Sequence, residues 1–164
     1  MKNSLEKIVV NTSFGKQATA HADFEAKFMP EIKKELSMIL GQTPHPRPAK
    51  KSIAGFKIRE GMILGLRATL RGEKMKQFLE RVVNIVIPRI RDFQGLKLQG
   101  VDGNGNYSFG IKEQLVFPEI ILEESKVIFG MEITLVPRLP MDKEKALAFY
   151  RDLGLPLQKE KISK

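Results

Sequence analysis

Cysteine is absent from this 164-residue chain, which excludes disulfide frameworks, thiolate metal sites and cysteine nucleophiles. Histidine is scarce. His21 and His45 are the only two and lie far apart in the sequence, so no metal site is expected. Charges interrupt every apolar run well before the roughly eighteen residues of a membrane span. The opening stretch Met1-Lys2-Asn3-Ser4-Leu5-Glu6-Lys7 also lacks the apolar core of a secretory signal. A soluble, cytoplasmic chain without a membrane partner is the expectation. Ser13 and Ser52 lie near glycines but in no G-x-S-x-G elbow. In Gly55-Phe56-Lys57-Ile58-Arg59-Glu60-Gly61 the second glycine is followed by Met62 rather than by the Lys-Ser/Thr of a phosphate loop. With no nucleophile, base and orienting group in view, neither an enzyme nor a cofactor is expected.

What the chain does have is apolar content and a localised charge. Its 42% hydrophobic residues include ten Phe, enough for a packed core in one ordinary domain, residues 1–164. The net charge is +9. From Pro44 to Lys97 thirteen Lys and Arg face four Asp and Glu, while the remainder balances at fifteen of each sign. The whole excess therefore sits in one central third. Such a field attracts a polyphosphate backbone and releases its counterions, although charge alone equally allows a solvated surface. Anionic membrane fits less well, because no basic amphipathic helix with a bulky apolar face is present.

Periodicity predicts a first strand over 5–11 running into a tight loop near Gly15. Phe24, Phe28, Ile32, Leu36 and Leu40 recur every four residues, with Pro30 as a kink or as the first turn of a shorter helix and Gly41 as its end. Thr43-Pro44-His45-Pro46-Arg47-Pro48 must be extended. A strand follows over 63–70, bracketed by Gly61 and Gly72, and then a helix over 73–87 that Pro88 should stop. Asp102-Gly103-Asn104-Gly105 reads as a hairpin turn, with strands over 106–111 and 126–136. A last helix begins near Asp142, turns Ala146, Leu147, Phe149, Tyr150 and Leu153 inward and ends at Gly154. The class is α+β, an antiparallel β-sheet with helices packed on one face, a long basic loop over about 44–62 and a frayed tail over about 157–164.

Two stretches mix cations with bulky apolar residues outside these elements. Lys50 to Gly61 carries Lys50, Lys51, Lys57 and Arg59 beside Ile53, Phe56 and Ile58, and Pro88 to Gly95 carries Arg89 and Arg91 beside Ile90 and Phe93. Lys and Arg would meet phosphates while Phe56 stacks on a base or packs in an RNA groove. Alternatively, Phe56 and Ile58 tuck back into the core. His45, between prolines, reads as a solvent-facing residue or a nucleic-acid contact.

Four blocks make the chain resemble a known family. They are Lys51-Ser52-Ile53-Ala54-Gly55-Phe56-Lys57-Ile58-Arg59-Glu60-Gly61; Thr69-Leu70-Arg71-Gly72-Glu73; Pro88-Arg89-Ile90-Arg91-Asp92-Phe93; and Gly105-Asn106-Tyr107 with Gly110-Ile111-Lys112-Glu113-Gln114 and Phe117-Pro118-Glu119-Ile120. Together they resemble the bacterial-type ribosomal protein L-five family of the large subunit, in the family's order from Leu5 to about Pro156. After Asn11 the family's usual Met-Gly-Val-Gly reads Thr12-Ser13-Phe14-Gly15, which keeps the second glycine.

The resemblance implies a cytoplasmic, non-enzymatic constituent of the ribosome's central protuberance that binds 5S rRNA and helps attach it to the large-subunit rRNA beside other ribosomal proteins there. It carries the 5S rRNA contacts onto Asn11, Gln42 and Thr69, and a contact with P-site tRNA or rRNA onto the loop residues Lys50, Lys51, Ser52, Phe56, Lys57 and Arg59. Arg47, Arg71, Arg89 and Arg91 become further rRNA contacts. It also implies an intersubunit bridge to a small-subunit head protein, for which the acidic Glu119, Glu123 and Glu124 are the candidates. An RNA-binding regulator acting off the ribosome is the alternative.

Overall fold

The structure is a computed structural model that describes residues 5–21 and 23–159. Of the tail expected over about 157–164, the part beyond Lys159 lies outside the described residues. In chain order the elements are β1 (Leu5–Ser13), α1 (Gly15–Ala20), α2 (Phe24–Lys27), α3 (Met29–Leu40), β2 (His45–Pro48), β3 (Ile63–Leu70), α4 (Gly72–Arg81), a π turn (Val82–Val86), α5 (Ile87–Arg89), β4 (Tyr107–Ile111), β5 (Met131–Pro137) and α6 (Lys143–Asp152). The strands make one five-stranded antiparallel sheet in the order β2-β3-β1-β5-β4, so the α+β class predicted from sequence holds. The chain packs as two compact units. One is Val10–Thr69 with Ile111–Glu132, here the β2–β3 unit; the other is Met1–Val9, Leu70–Gly110 and Ile133–Lys164, here the α4–α6 unit.

In the β2–β3 unit, Pro30 sits in the first turn of α3, where its missing N–H is no loss, and Gly41 ends the helix at φ 65°. Ile32, Leu36, Ile39 and Leu40 of α3 are buried along one stripe. Phe24 packs against Phe14 and Phe28 with ring centroids 5.1 and 5.6 Å apart. The tight loop expected after Asn11 is not formed. Instead β1 continues to Ser13 and Gly15 opens α1, whose Ala18 N–H donates to the Phe14 carbonyl at 2.8 Å. Burying Phe14 and Ala18 outweighs the local preference of glycine for a loop. Residues 126–130, expected in the last strand, precede it. The Gln114 amide occupies the Val127 carbonyl (2.6 Å) and the Phe129 N–H (2.9 Å), which takes both groups out of strand pairing.

In the α4–α6 unit the helix does not stop at Pro88 but runs on through Arg89. Proline removes a donor and crowds the carbonyl four residues back. The π turn just before it changes the carbonyl register, and Pro88 lands at the start of α5, where it is tolerated. Met75, Phe78, Val82, Val86 and Ile87 form the buried stripe. The 102–105 turn takes its positive φ at Gly105 (82°), and the Asp102 carboxylate accepts the Asn104 and Asn106 N–H groups, each at 2.9 Å. From α6, Ala146, Leu147 and Tyr150 are buried, while Phe149 and Leu153 are half-buried. The Tyr150 hydroxyl is satisfied in the interior, donating to the Gly105 carbonyl at 2.7 Å and lying 3.2 Å from that of Leu135. Past Gly154, Leu157 bridges to Leu96, so the chain remains hydrogen-bonded through Gln158.

Candidate nucleic-acid interface

Strand β2 is the sheet edge, and all four of its residues are exposed. Pro46 and Pro48 cannot donate to another strand, so this edge offers side chains rather than a pairing template. Its antiparallel register sets His45 opposite Arg67 and Arg47 opposite Gly65. Directly opposed residues share a face, and so do residues two apart on one strand. His45, Arg47, Arg67 and Thr69 therefore line one face of β2 and β3. Leu66 and Ala68, of the other parity, are buried.

The same face gains two more of the expected residues. Gln42, just past the α3 cap, donates from Nε2 to the Thr69 carbonyl at 3.0 Å, which fixes its amide beside that strand end and leaves the Thr69 hydroxyl unused by this bond. Asn11 lies on β1, the neighbour of β3, between buried Val10 and Thr12 and so directed away from them. Thr12 is tied down by its hydroxyl, which donates to the Gly130 carbonyl at 2.6 Å. The two strands come very close here, since a Cβ on Gly65 would overlap the Thr12 carbonyl oxygen. Arg67 was not singled out by sequence, although its two-residue spacing from Thr69 marks it for the same face.

The connection over 49–62 is expected to be irregular, but it forms a small hydrogen-bonded ribbon. Ala49 exchanges backbone bonds with Gly61 and Met62, and Ile53 pairs with Ile58 in both directions, at 2.9 and 3.1 Å. A short 3-10 turn at Ala54–Phe56 leads to Lys57 in the left-handed region (φ 55°), which reverses the chain. Ser52 is engaged internally, its Oγ accepting the Glu60 N–H at 2.9 Å. Phe56 does not tuck into the core: it is 71% exposed at the tip, among exposed Lys50, Lys51, Lys57 and Arg59.

The remaining expected residues divide between the units. In the α4–α6 unit, Arg71 binds the Glu6 carboxylate at 3.0 Å, and this bond is the main influence holding the Glu6 carboxyl below its usual range. Arg89 and Arg91 are exposed at and just after the end of α5. In the β2–β3 unit, Glu123 and Glu124 are exposed and Glu119 is half-buried, on the connection that carries exposed Ile121 and Leu122. That connection is held from below by Gln114, fully buried, whose Nε2 reaches Glu35 Oε2 (3.0 Å), Ser125 Oγ (3.1 Å) and the Val127 carbonyl. Among the described residues no group of His, Cys, Asp or Glu could hold a metal, and no helix is long and apolar enough to cross a membrane.

Comparison with known proteins accounts for both halves of the chain. Residues 2–59 match the family model of ribosomal protein L5, and residues 63–157 match that of the ribosomal L5P family C-terminus. The large ribosomal subunit protein uL5 of Malacoplasma penetrans is 47% identical over 160 residues, spanning 98% of this chain and 82% of that protein. The uL5 proteins of Leptospira biflexa (45% over 152 residues; 93% and 80%) and Helicobacter hepaticus (46% over 155 residues; 94% and 82%) are similarly related. The chain therefore belongs to the L5 family of large-subunit ribosomal proteins, structural constituents of the ribosome and not enzymes.

Proposed function

We propose that this chain binds 5S rRNA through the β2–β3 face and helps attach it to the large-subunit rRNA in the central protuberance. The observation that carries this reading is the make-up of that face: amide and hydroxyl groups from Asn11, Gln42 and Thr69 stand beside Arg47, Arg67 and His45 on a sheet edge closed to strand addition. Neutral donors and acceptors suit sugars and bases, while the arginines supply phosphate affinity. Exposed Phe56 at the tip of the 49–62 ribbon suits stacking on RNA, and the four cations around it suit the P-site tRNA backbone. The acidic and apolar connection bearing Glu119, Glu123 and Glu124 suits a basic protein of the small-subunit head. Arg89 and Arg91 would add a further rRNA contact.

Titration of 5S rRNA with the Asn11→Ala/Gln42→Ala/Thr69→Ala variant tests the reading. Three hydrogen bonds at about 0.5–1.5 kcal/mol each predict a loss of roughly ten- to hundredfold or more in affinity. Unchanged affinity would refute the assignment. In a sucrose gradient the chain should travel with the large subunit; exclusion from those fractions would favour a regulator acting off the ribosome.

A further inference from the structure

We infer that Arg67 is the phosphate-gripping residue of the β2–β3 face, kept without a protein partner so that RNA supplies its missing acceptor; this rests on the RNA-binding reading above. The Arg67 Nε is shielded from solvent and has no hydrogen-bond acceptor among the described residues. Such a group is costly, and shielded guanidinium groups in folded proteins are normally paired. Its surroundings explain what is lacking. Directly across the ladder stands His45, two pairs further along Arg47 faces the bare Gly65, and two residues on stands Thr69. No carboxylate occupies any of these positions. A face that concentrates three basic side chains and leaves one of them unsatisfied is short of an anion.

The shape of the group narrows the choice of anion. The planar guanidinium of Arg, presenting its two Nη groups, matches two oxygens of a phosphate in a way a lysine cannot. A guanine edge accepts the same fork, but the neighbouring His45 and Arg47 favour the RNA backbone over a single base. An arginine held for structure would behave differently. It would have an internal acceptor, and its removal would destabilise the free protein.

Arg67→Met keeps the length and apolar stem while deleting the fork; Arg67→Lys keeps the charge and loses the fork. Thermal melting of the free full-length chain and 5S rRNA binding from about 0.05 to 0.2 M salt are measured for both. For Arg67→Met the expected results are a Tm equal to or above that of the unmodified protein, an affinity lower by about tenfold or more, and a log K against log salt slope shallower by about 0.7–0.9. Arg67→Lys should keep the slope and recover only part of the affinity. A lowered Tm for Arg67→Met, or unchanged affinity and slope, overturns the assignment, and a loss that disappears when one guanine of the RNA is altered would make Arg67 a base reader instead. Unmodified protein that does not bind 5S rRNA overturns the reading beneath, and this assignment with it; unmodified protein that binds no better than Arg67→Met overturns the assignment alone.

Discussion

Replacing Gln114 with alanine should lower the stability of the chain by about 3–5 kcal/mol, a large part of the 5–15 kcal/mol typical of a domain. Gln114 is fully buried, and its amide is the common partner of Glu35 Oε2, Ser125 Oγ, the Val127 carbonyl and the Phe129 N–H. Deleting it leaves the buried Phe129 N–H and the Val127 carbonyl without their side-chain partner, and each costs about 1–3 kcal/mol. The Gln114→Glu variant separates loss of bonding from loss of volume. It keeps the shape, but an ionised carboxylate there would face the Glu35 carboxylate and the Val127 carbonyl oxygen, so its folded-state pKa must be raised. Its stability should be fully present below the ordinary Glu pKa of about 4.3 and be lost as pH rises through the elevated value. Urea unfolding at about pH 4 and 7.5 measures both variants, and a Gln114→Ala protein within about 1 kcal/mol of the unmodified one would contradict this account of the 112–130 connection.

Neutralising Lys50, Lys51, Lys57 and Arg59 together to glutamine should act on a different partner. All four are exposed on the 49–62 ribbon, beyond the strands that carry Arg67 and Thr69. A released counterion makes each phosphate contact worth roughly sixfold in affinity near 0.1 M salt, so four contacts amount to about a thousandfold and two to about fortyfold. Retention of P-site tRNA by ribosomes carrying the variant should therefore fall and grow less sensitive to salt. Isolated 5S rRNA binding should change far less, because Asn11, Gln42, Arg47, Arg67 and Thr69 are untouched. Equal losses in the two assays would contradict the division of labour between ribbon and sheet face.

The face was legible in the sequence only in part, and the reasons differ by residue. Strand β3 announces itself by alternation between Gly61 and Gly72, and Pro30 and Gly41 mark the two ends of α3, because proline and glycine act through local backbone sterics. Asn11, Gln42 and Thr69 were marked by family resemblance rather than by charge or period. Their common neighbourhood depends on the Gln42–Thr69 bond, formed across 27 residues. Arg67 could be assigned a side from its spacing, whereas its lack of an acceptor depends on the register with β2 and on what that register excludes. Two departures from the expected elements have different origins. Pro88 does not end its helix because a π turn accommodates it, and residues 126–130 do not join β5 because a glutamine more than ten residues earlier takes their backbone groups. In the second case a partner distant in sequence overrode a local signal, whereas in the first the adjoining π turn did.

The most direct test is a reconstruction of the large ribosomal subunit containing this chain, at a resolution that places side chains against RNA. The prediction is 5S rRNA lying across the β2–β3 face, with Asn11, Gln42 and Thr69 against sugars or bases and the Arg67 fork on a phosphate, while the 49–62 ribbon points to the P site. A 5S rRNA that rests on another surface, with His45, Arg47 and Arg67 open to solvent, would contradict it.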